Sequence, residues 1–328
     1  MRKFKRIKRA YWSFWIIFVV SLLSAGAEFL ANDRPIVMSY NDSLFFPIFE
    51  TYKGFDFGID SPLEPQYKKM ELEGKGWAIW PLVTHWGSNE SNRSLDRYPA
   101  PPSTANWLGT DDRGRDILTR LIHGYRVSMF FGLVTLVLAI ILAVLTGGIQ
   151  GYLGGWIDLS GQRAIEVWSA LPYLYVLILL VNIYEPSITM LILANSAFAW
   201  IGLSYYVRAE VLKVRKQTYV EAAQSMGCGH GRIMWAHIIP NSLIPIITYA
   251  PFVVNLAINN LAVLDFLGLG VPAPTASIGE LLRQGKTHFI TSWWLAVFPF
   301  TVLVGAIVCI NFVGEGLREA FDPRKTIL

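Results

Sequence analysis

The sequence is poor in charged residues and in cysteine. Only 16% of its 328 residues are Asp, Glu, Lys or Arg, whereas 53% are hydrophobic, and the mean hydropathy is +0.40. Soluble globular chains carry about a quarter charged residues, so this composition excludes a soluble fold and indicates a membrane protein. The two cysteines, Cys228 and Cys309, fall in a predicted cytoplasmic loop and a predicted span, where no disulfide is expected.

Metal-binding and nucleotide-binding motifs are also missing. The five histidines are scattered without the spacing of a metal site. Gly285-Lys286-Thr287 ends like a phosphate-binding loop, but Gly279 stands one position too far upstream and no predicted strand precedes it. We therefore expect no catalytic residue, metal or cofactor in this chain, and any ATP-driven step would belong to a separate protein. The small net charge of +4 gives no sign of nucleic-acid binding.

Long apolar runs dominate what the sequence does contain, and they predict an all-α membrane protein with six transmembrane helices. The first run could instead be a cleaved signal peptide, since basic residues precede it and Ala25-Gly26-Ala27 ends it, but its length suits a tilted span. Pro172 is expected to kink the third run. The six runs cover residues 11–27, 127–149, 167–183, 188–207, 242–264 and 293–313.

Basic residues predict the orientation of these spans. Six Lys and Arg residues precede the first run, so the positive-inside rule places the N-terminus in the cytoplasm, and six crossings return the C-terminus there. Four crossings also place residues 209–241 inside. The further basic residues that agree with this topology are Lys213, Arg215, Lys216, Arg232, Arg318, Arg324 and Lys325.

The chain divides into three parts by composition. Residues 1–30 are the cytoplasmic N-terminus and first span, and residues 127–328 are the transmembrane core. Between them, residues 31–126 are polar and aromatic, cannot lie in hydrocarbon, and are predicted to form a large extracytoplasmic insert. Residues 40–49 and 77–86 of the insert could contribute short strands or loops, and the sequence assigns no fold to the insert. Near its end, Asp116 is a predicted N-cap of a short amphipathic helix over residues 117–125.

The charged stretch 209–241 predicts two short helices broken at a glycine. Thr218 and Glu221 have the spacing of a capping box at the first helix. Gly227 can adopt the left-handed conformation that ends this helix, and Pro240 is expected to end the second. The apolar residues of this hairpin are too few to form a domain, so a partner is expected to cover them. They are Val220, Met226, Ile233, Trp235 and Ile238.

This stretch resembles the EAA loop of ABC-importer permeases, because Glu-Ala-Ala is followed after three residues by Gly and after twelve more by Pro. The HIIPN sequence over residues 237–241 is similar to the peptide and nickel branch of that family. Gly229, His230 and Gly231 depart from it, since a capping Ser or Asp is usual there. The resemblance implies the type I importer permease fold and a loop that docks into an ATPase subunit. The implied coupling residues are Glu221, Ala222, Ala223, Gly227, Ile238 and Pro240.

Three further stretches resemble the same family. They are WLGTDDRGRD at residues 107–116, DFLGLG at residues 265–270 and SIGELLRQGK at residues 277–286. With the long insert and the tail EAFDPRK, they are similar to the second permease of Yej-type importers of oligopeptides and microcin C. The implied partners are a homologous second permease, two ABC ATPase subunits, a periplasmic solute-binding protein, a peptide substrate and the lipid of the bacterial inner membrane.

The sequence is also compatible with other interpretations. Asn255, Asn259 and Asn260, inside the fifth run, either line a substrate path or hydrogen-bond to neighbouring helices. The insert could itself carry the function of an integral-membrane receptor or enzyme. An ion-coupled carrier would need an inverted repeat and a midplane charge, and neither is evident. A hydrolytic cluster could be formed by Asp111, Asp112, Asp116 and His123, although turn and cap roles account for the aspartates.

Overall fold

The structure, a computed structural model, describes residues 2–41, 43–65, 67, 70, 76–83, 86–92, 95 and 97–321. It is mostly helical. Arg324 and Lys325, which entered the topology prediction, lie outside these residues. The helices are α1 (Arg2–Arg6), α2 (Lys8–Ala25), α3 (Ala27–Leu30), α4 (Ile117–Leu153), α5 (Gly155–Ser169), α6 (Tyr173–Ile183), α7 (Ile188–Val214), α8 (Thr218–Ser225), α9 (His230–Arg232), α10 (Ile244–Leu267), α11 (Ile278–Thr287) and α12 (Trp294–Phe321).

Within the described part of the chain, four helices are long and apolar enough to cross a membrane: α4, α7, α10 and α12. The pair formed by α5 and α6 passes the same test together, although the two helices are bent by 70° relative to each other, so the count rises to five if this pair is one span. Helix α2 has 18 residues and begins with two charged ones, and it is not in this set. Length and composition therefore support four or five of the six expected spans.

Several predicted boundaries are wrong. The amphipathic helix expected over residues 117–125 is the first part of the continuous 37-residue helix α4. No proline interrupts the run, and Gly124 lies in close contact with the backbone of Ile278, so this glycine serves packing rather than ending the helix. The break between α4 and α5 is short, because α4 ends at Leu153 and α5 begins at Gly155. At Pro172 the expected kink is a break between α5 and α6.

Two compact units make up the chain. The first unit comprises Met1–Phe18, Ser128–Pro272 and Val304–Leu328. In it, the absence of a side chain at Gly147 lets α4 approach the backbone of α7 at Ser204, as small residues allow between membrane helices. Its hydrophobic core consists of Ala139, Ala143, Val144, Leu203, Val207, Val211, Val214, Val220, Ala223, Ile233, Ile238, Ile239 and Ile246.

The second unit comprises Val19–Val127 and Ala273–Leu303, and it contains a small antiparallel sheet. The prediction of an all-α protein is thus wrong for the insert. Strands overlap both of the stretches, 40–49 and 77–86, for which the sequence left strands or loops open. The strands, in the order β2-β1-β3, are β1 (Val37–Tyr40), β2 (Ser43–Phe45) and β3 (Gly76–Ile79). Met38 pairs with Phe45 and Ala78. One face of β1 is buried against Phe57, Tyr67 and Met70.

Candidate functional site

The first arm of the hairpin is helix α8, and its start differs from the prediction. The N-cap residue is Gln217 rather than Thr218, and no side chain accepts a hydrogen bond from the first turn. The predicted capping box between Thr218 and Glu221 is therefore wrong, because the helix begins one residue earlier than that motif requires. Glu221 instead lies in the first turn with its carboxylate exposed, where a negative charge favours the helix dipole.

Gly227 ends the first arm as predicted. Its φ of +78° lies in the left-handed region, which a residue with a Cβ adopts only at a cost. The N–H of Gly227 donates to the carbonyl of Gln224 (2.9 Å), and the N–H of Cys228 donates to the carbonyl of Ala223 (3.1 Å). This pair of bonds is the Schellman motif, so the turn satisfies carbonyls that the end of α8 would otherwise leave unpaired.

The second arm follows directly. Gly229 is its N-cap and, as its lack of a side chain dictates, provides no capping bond. Helix α9 continues into a π-helix, Ile233–Ile238, and π-helical turns are frequent at functional sites. Pro240 ends this arm as expected, since a 3₁₀ turn, Pro240–Ser242, begins there and leads to α10.

One side of the hairpin is covered by the chain itself. Val220, Ile233 and Ile238 are fully buried against α4 and α7, so the expectation that a partner must cover all five apolar residues is wrong for these three. The α7 segment that leads into the hairpin supplies their cover. Met226 and Trp235 remain uncovered, with 77% and 51% of their surfaces exposed.

The predicted coupling residues fall into two groups by burial. Glu221, Ala222, Gly227 and Pro240 are exposed. Ala223 and Ile238 are instead buried in the hydrophobic core of the first unit, which leaves them no surface for direct contact with another protein.

Two arginines, for which the sequence predicted no contacts, form hydrogen bonds where α7 leads into the hairpin. At the end of α7, the Arg208 guanidinium binds Asp158 through Nε to Oδ1 (2.5 Å) and Nη2 to Oδ2 (2.6 Å). Arg215 donates to the carbonyls of Gly151 and Tyr152, at the C-terminal end of α4, at 2.9 and 3.1 Å. A cation at this position satisfies orphan carbonyls and complements the helix dipole.

Two of the three asparagines in α10 have partners on other helices. The side-chain amide of Asn255 donates to Oδ1 of Asn311 at 2.7 Å, and that of Asn260 donates to Oδ1 of Asn195 at 3.0 Å. Asn259 is exposed, and within the described residues its side chain makes no hydrogen bond. Helix-to-helix bonding thus accounts for Asn255 and Asn260 but not for Asn259.

Three of the four residues that could have formed a hydrolytic cluster, Asp111, Asp116 and His123, have structural partners. Asp116 caps α4 by accepting from the N–H and hydroxyl of Thr119 at 2.8 and 3.0 Å. Burial raises the pKa of Asp116, and the hydrogen bonds from Asn106 and Thr119 act in the opposite direction. The His123 ring lies within hydrogen-bonding distance of the Ala31 carbonyl at 2.9 Å.

A buried ionic network in the second unit was not predicted. Arg115 and Arg120 both contact Glu280, with Nη2 to carboxylate distances of 3.2 and 2.6 Å, and Arg115 also binds Asp111 at 2.6 Å. Burial works against the charge of Arg115, but the bonds to Asp111 and Glu280 outweigh it and raise the pKa. The network joins the start of α4 to α11, where Gly285-Lys286-Thr287 is helical rather than a phosphate-binding loop.

The chain matches the family described as binding-protein-dependent transport system inner membrane component over residues 137–327. It is 38% identical to the inner membrane ABC transporter permease protein YejE of Escherichia coli, covering 99% of this chain and 96% of that protein. It is 37% identical to the peptidoglycan transport system permease protein YejE of Agrobacterium fabrum, covering 99% and 92%.

Other matches cover a smaller share of the chain. The dipeptide transport system permease protein DppC of Bacillus subtilis is 36% identical over 71% of this chain and 73% of that protein. The membrane fold is similar to that of the inward-facing MetNI methionine ABC transporter, with a TM-score of 0.51 and 14% identity over 62% of this chain and 97% of that chain. The protein therefore belongs to the family of binding-protein-dependent transport system inner membrane components and is a non-catalytic, multi-pass ABC transporter permease.

Proposed function

We propose that this permease is one of two homologous membrane subunits of an importer for peptides or peptide-like solutes. The names of its relatives, which include peptidoglycan, dipeptide and oligopeptide permeases, support the substrate class. Six spans follow if α2 and the bent pair α5 and α6 each cross the membrane in addition to the four long apolar helices. With an even number of crossings, both termini and the hairpin face the cytoplasm.

The hairpin couples this subunit to a separate ATPase. The main support for this proposal is that one side of the hairpin is buried and the other side is exposed. Val220 and Ile233 fix one side of the hairpin in the core of the first unit, whereas Met226 and Trp235 on the other side are exposed. Because the hairpin is fixed to the core on one side and exposes apolar side chains on the other, it can bind a partner protein and move together with it as a rigid body.

Each predicted coupling residue has a role consistent with its position. Ala222 lets the partner approach the helix backbone closely, and Glu221 offers a charge beside it. Gly227 sets the angle between the two arms, and Pro240 directs the chain into α10. Ala223 and Ile238 act indirectly, because they anchor the hairpin from inside the core, as their burial indicates.

The transport cycle would be alternating access. ATP closes a pair of ATPase subunits, the hairpins follow, and the two permeases rock to open the path toward a periplasmic solute-binding protein. The exposed Asn259 is our candidate for a residue lining that path, because polar side chains in membrane helices face the protein interior or water. Asn255 and Asn260 would shape the path by joining helices.

Two substitutions in the hairpin test this function. Gly227→Pro forces φ to about −65° where the turn needs +78°, and Glu221→Lys reverses an exposed charge. Both should uncouple transport while leaving membrane insertion intact. The measurement is peptide uptake and binding-protein-stimulated ATP hydrolysis by the assembled transporter. Gly229→Ala is the matched control, because its φ of −65° accommodates alanine. Normal uptake by both variants at wild-type expression would refute the proposal.

A further inference from the structure

A polar cavity of about 620 Å³ lies within the second unit, and none of its lining residues belongs to the hairpin or to α10. Its volume is in the range of small-molecule sites, which is about 300–1,000 Å³. The cavity is lined by residues of α3 and the chain just after it, by residues 87–90, by the first part of α4 and by the two residues Thr275 and Ala276 before α11. Five charged residues line it, Glu28, Asp33, Arg34, Glu90 and Arg126, and Glu90 accepts from the N–H of Gly87 at 3.4 Å.

Arg126 is held in place but keeps unused hydrogen-bond donors. Its Nη2 donates to Glu28 at 3.1 Å and to Nδ1 of His123 at 3.1 Å. Because Nε2 of His123 faces the Ala31 carbonyl, Nε2 must carry the proton and Nδ1 must accept. Glu28 is fixed in turn by the amide of Asn32 at 2.9 Å. In the described chain, Nε and Nη1 of Arg126 have no partner and remain available to an anion.

Asp33 supplies the opposite charge. Within the described residues its carboxylate has neither a hydrogen bond nor an ion pair, whereas Arg34, the next residue, is engaged by Glu64 at 2.7 Å. The carboxylate of Asp33 packs against the α-carbon of Gly87, where a Cβ would lie 2.7 Å from Cγ of Asp33. The missing side chain at Gly87 thus makes room for this carboxylate at the cavity wall.

We propose that this cavity binds a small zwitterion, such as a short peptide, with its ammonium group on Asp33 and its carboxylate on Arg126. An unpaired carboxylate and a guanidinium with free donors in one cavity match the two ends of such a molecule, and charge-assisted hydrogen bonds are the strong ones. The residues that line the cavity all belong to the second unit, so the proposal does not depend on the transport mechanism described above.

The test is calorimetric titration of trialanine into the detergent-solubilised full-length chain. We expect saturable binding that weakens about tenfold or more when the peptide is N-acetylated or C-amidated, the loss expected for one charge-assisted bond. Asp33→Asn, which is isosteric, should weaken trialanine binding to the level of the acetylated peptide and leave binding of the acetylated peptide itself unchanged. Asp60→Asn, an exposed aspartate of the same unit, is the matched control and should bind as the wild type does.

Two results would overturn the assignment. One is the absence of saturable trialanine binding by the wild-type chain. The other is an Asp33→Asn variant that still distinguishes trialanine from its acetylated form, which would locate the bound peptide elsewhere. Gly87→Val, which should displace the Asp33 carboxylate, gives a second readout, since it should cause the same loss as Asp33→Asn. Neither result bears on uptake by the assembled transporter, so the transport proposal is tested independently.

Discussion

Removal of the Arg120 guanidinium should destabilise the second unit strongly. The side chain is completely buried, and it donates to Glu280 (2.6 Å) and to the carbonyls of Ser88 (2.8 Å) and Thr275 (3.3 Å). Arg120→Met keeps most of the apolar stem but leaves a negative charge of the network without its partner. It also leaves two backbone carbonyls without a donor.

The size of the effect follows from burial. Two carboxylates, Asp111 and Glu280, face two guanidinium groups, and the exposed fractions of the four side chains are 14% or less. Breaking a buried ion pair on one side costs about 3–5 kcal/mol, because the remaining charge cannot be solvated. Glu280→Gln in the Arg120→Met background restores charge balance, and we expect it to recover about 1–3 kcal/mol of that loss.

Thermal unfolding of the purified chain in detergent, followed by intrinsic fluorescence, measures the change. Arg120→Met should lower the midpoint by about 5 °C or more, and the double variant should lie between it and the wild type. Arg113→Met is the matched control, since Arg113 is exposed, and its midpoint should stay within about 1 °C of the wild type. An unchanged midpoint for Arg120→Met, or a double variant less stable than the single one, would refute the electrostatic reasoning.

Three other substitutions test individual contacts. Gly227→Ala should cost about 1 kcal/mol of local stability, because alanine resists a φ of +78°, and should speed hydrogen exchange in the hairpin, whereas Gly229→Ala should not. Arg208→Lys loses the bidentate contact to the Asp158 carboxylate, and we expect thermal unfolding to show about 1 kcal/mol of destabilisation. An unchanged midpoint would argue against a stabilising role for this ion pair. Asn260→Leu should cost about 0.6 kcal/mol through the unpaired Asn195, and Asn259→Leu should cost none.

The helical core was largely predictable because its signals are local. Apolar runs of about 20 residues define spans, and a glycine before a second short helix marks a left-handed turn, as Gly227 confirms. Boundaries were less predictable. Thr218 and Glu221 have the spacing of a capping box, but the helix begins at Thr218 with Gln217 as its N-cap, and short motifs of this kind do not fix the register of a helix.

Contacts between distant parts of the chain could not be read from the sequence. Arg120 and Glu280 are 160 residues apart, and nothing in the local sequence of either indicates the other. Asn195 and Asn260 are likewise on separate helices. Because the sequence does not show that they pair, it could not decide whether Asn260 lines a path or contacts a neighbouring helix. The burial of Ile238 against the chain's own core was missed for the same reason, since the covering residues belong to α4 and α7.

We propose that the exposed side of the hairpin contacts an ATPase subunit in the cytoplasm. The most direct test is cysteine crosslinking from Met226→Cys, with Cys228 and Cys309 replaced by serine, in the assembled transporter. Met226 is 77% exposed, so a cysteine there should crosslink to the ATPase subunit and should react with membrane-impermeant maleimide only after the cells are opened. Labelling of Met226→Cys in intact spheroplasts, or the absence of any crosslink to an ATPase subunit, would refute contact between the hairpin and a cytoplasmic ATPase.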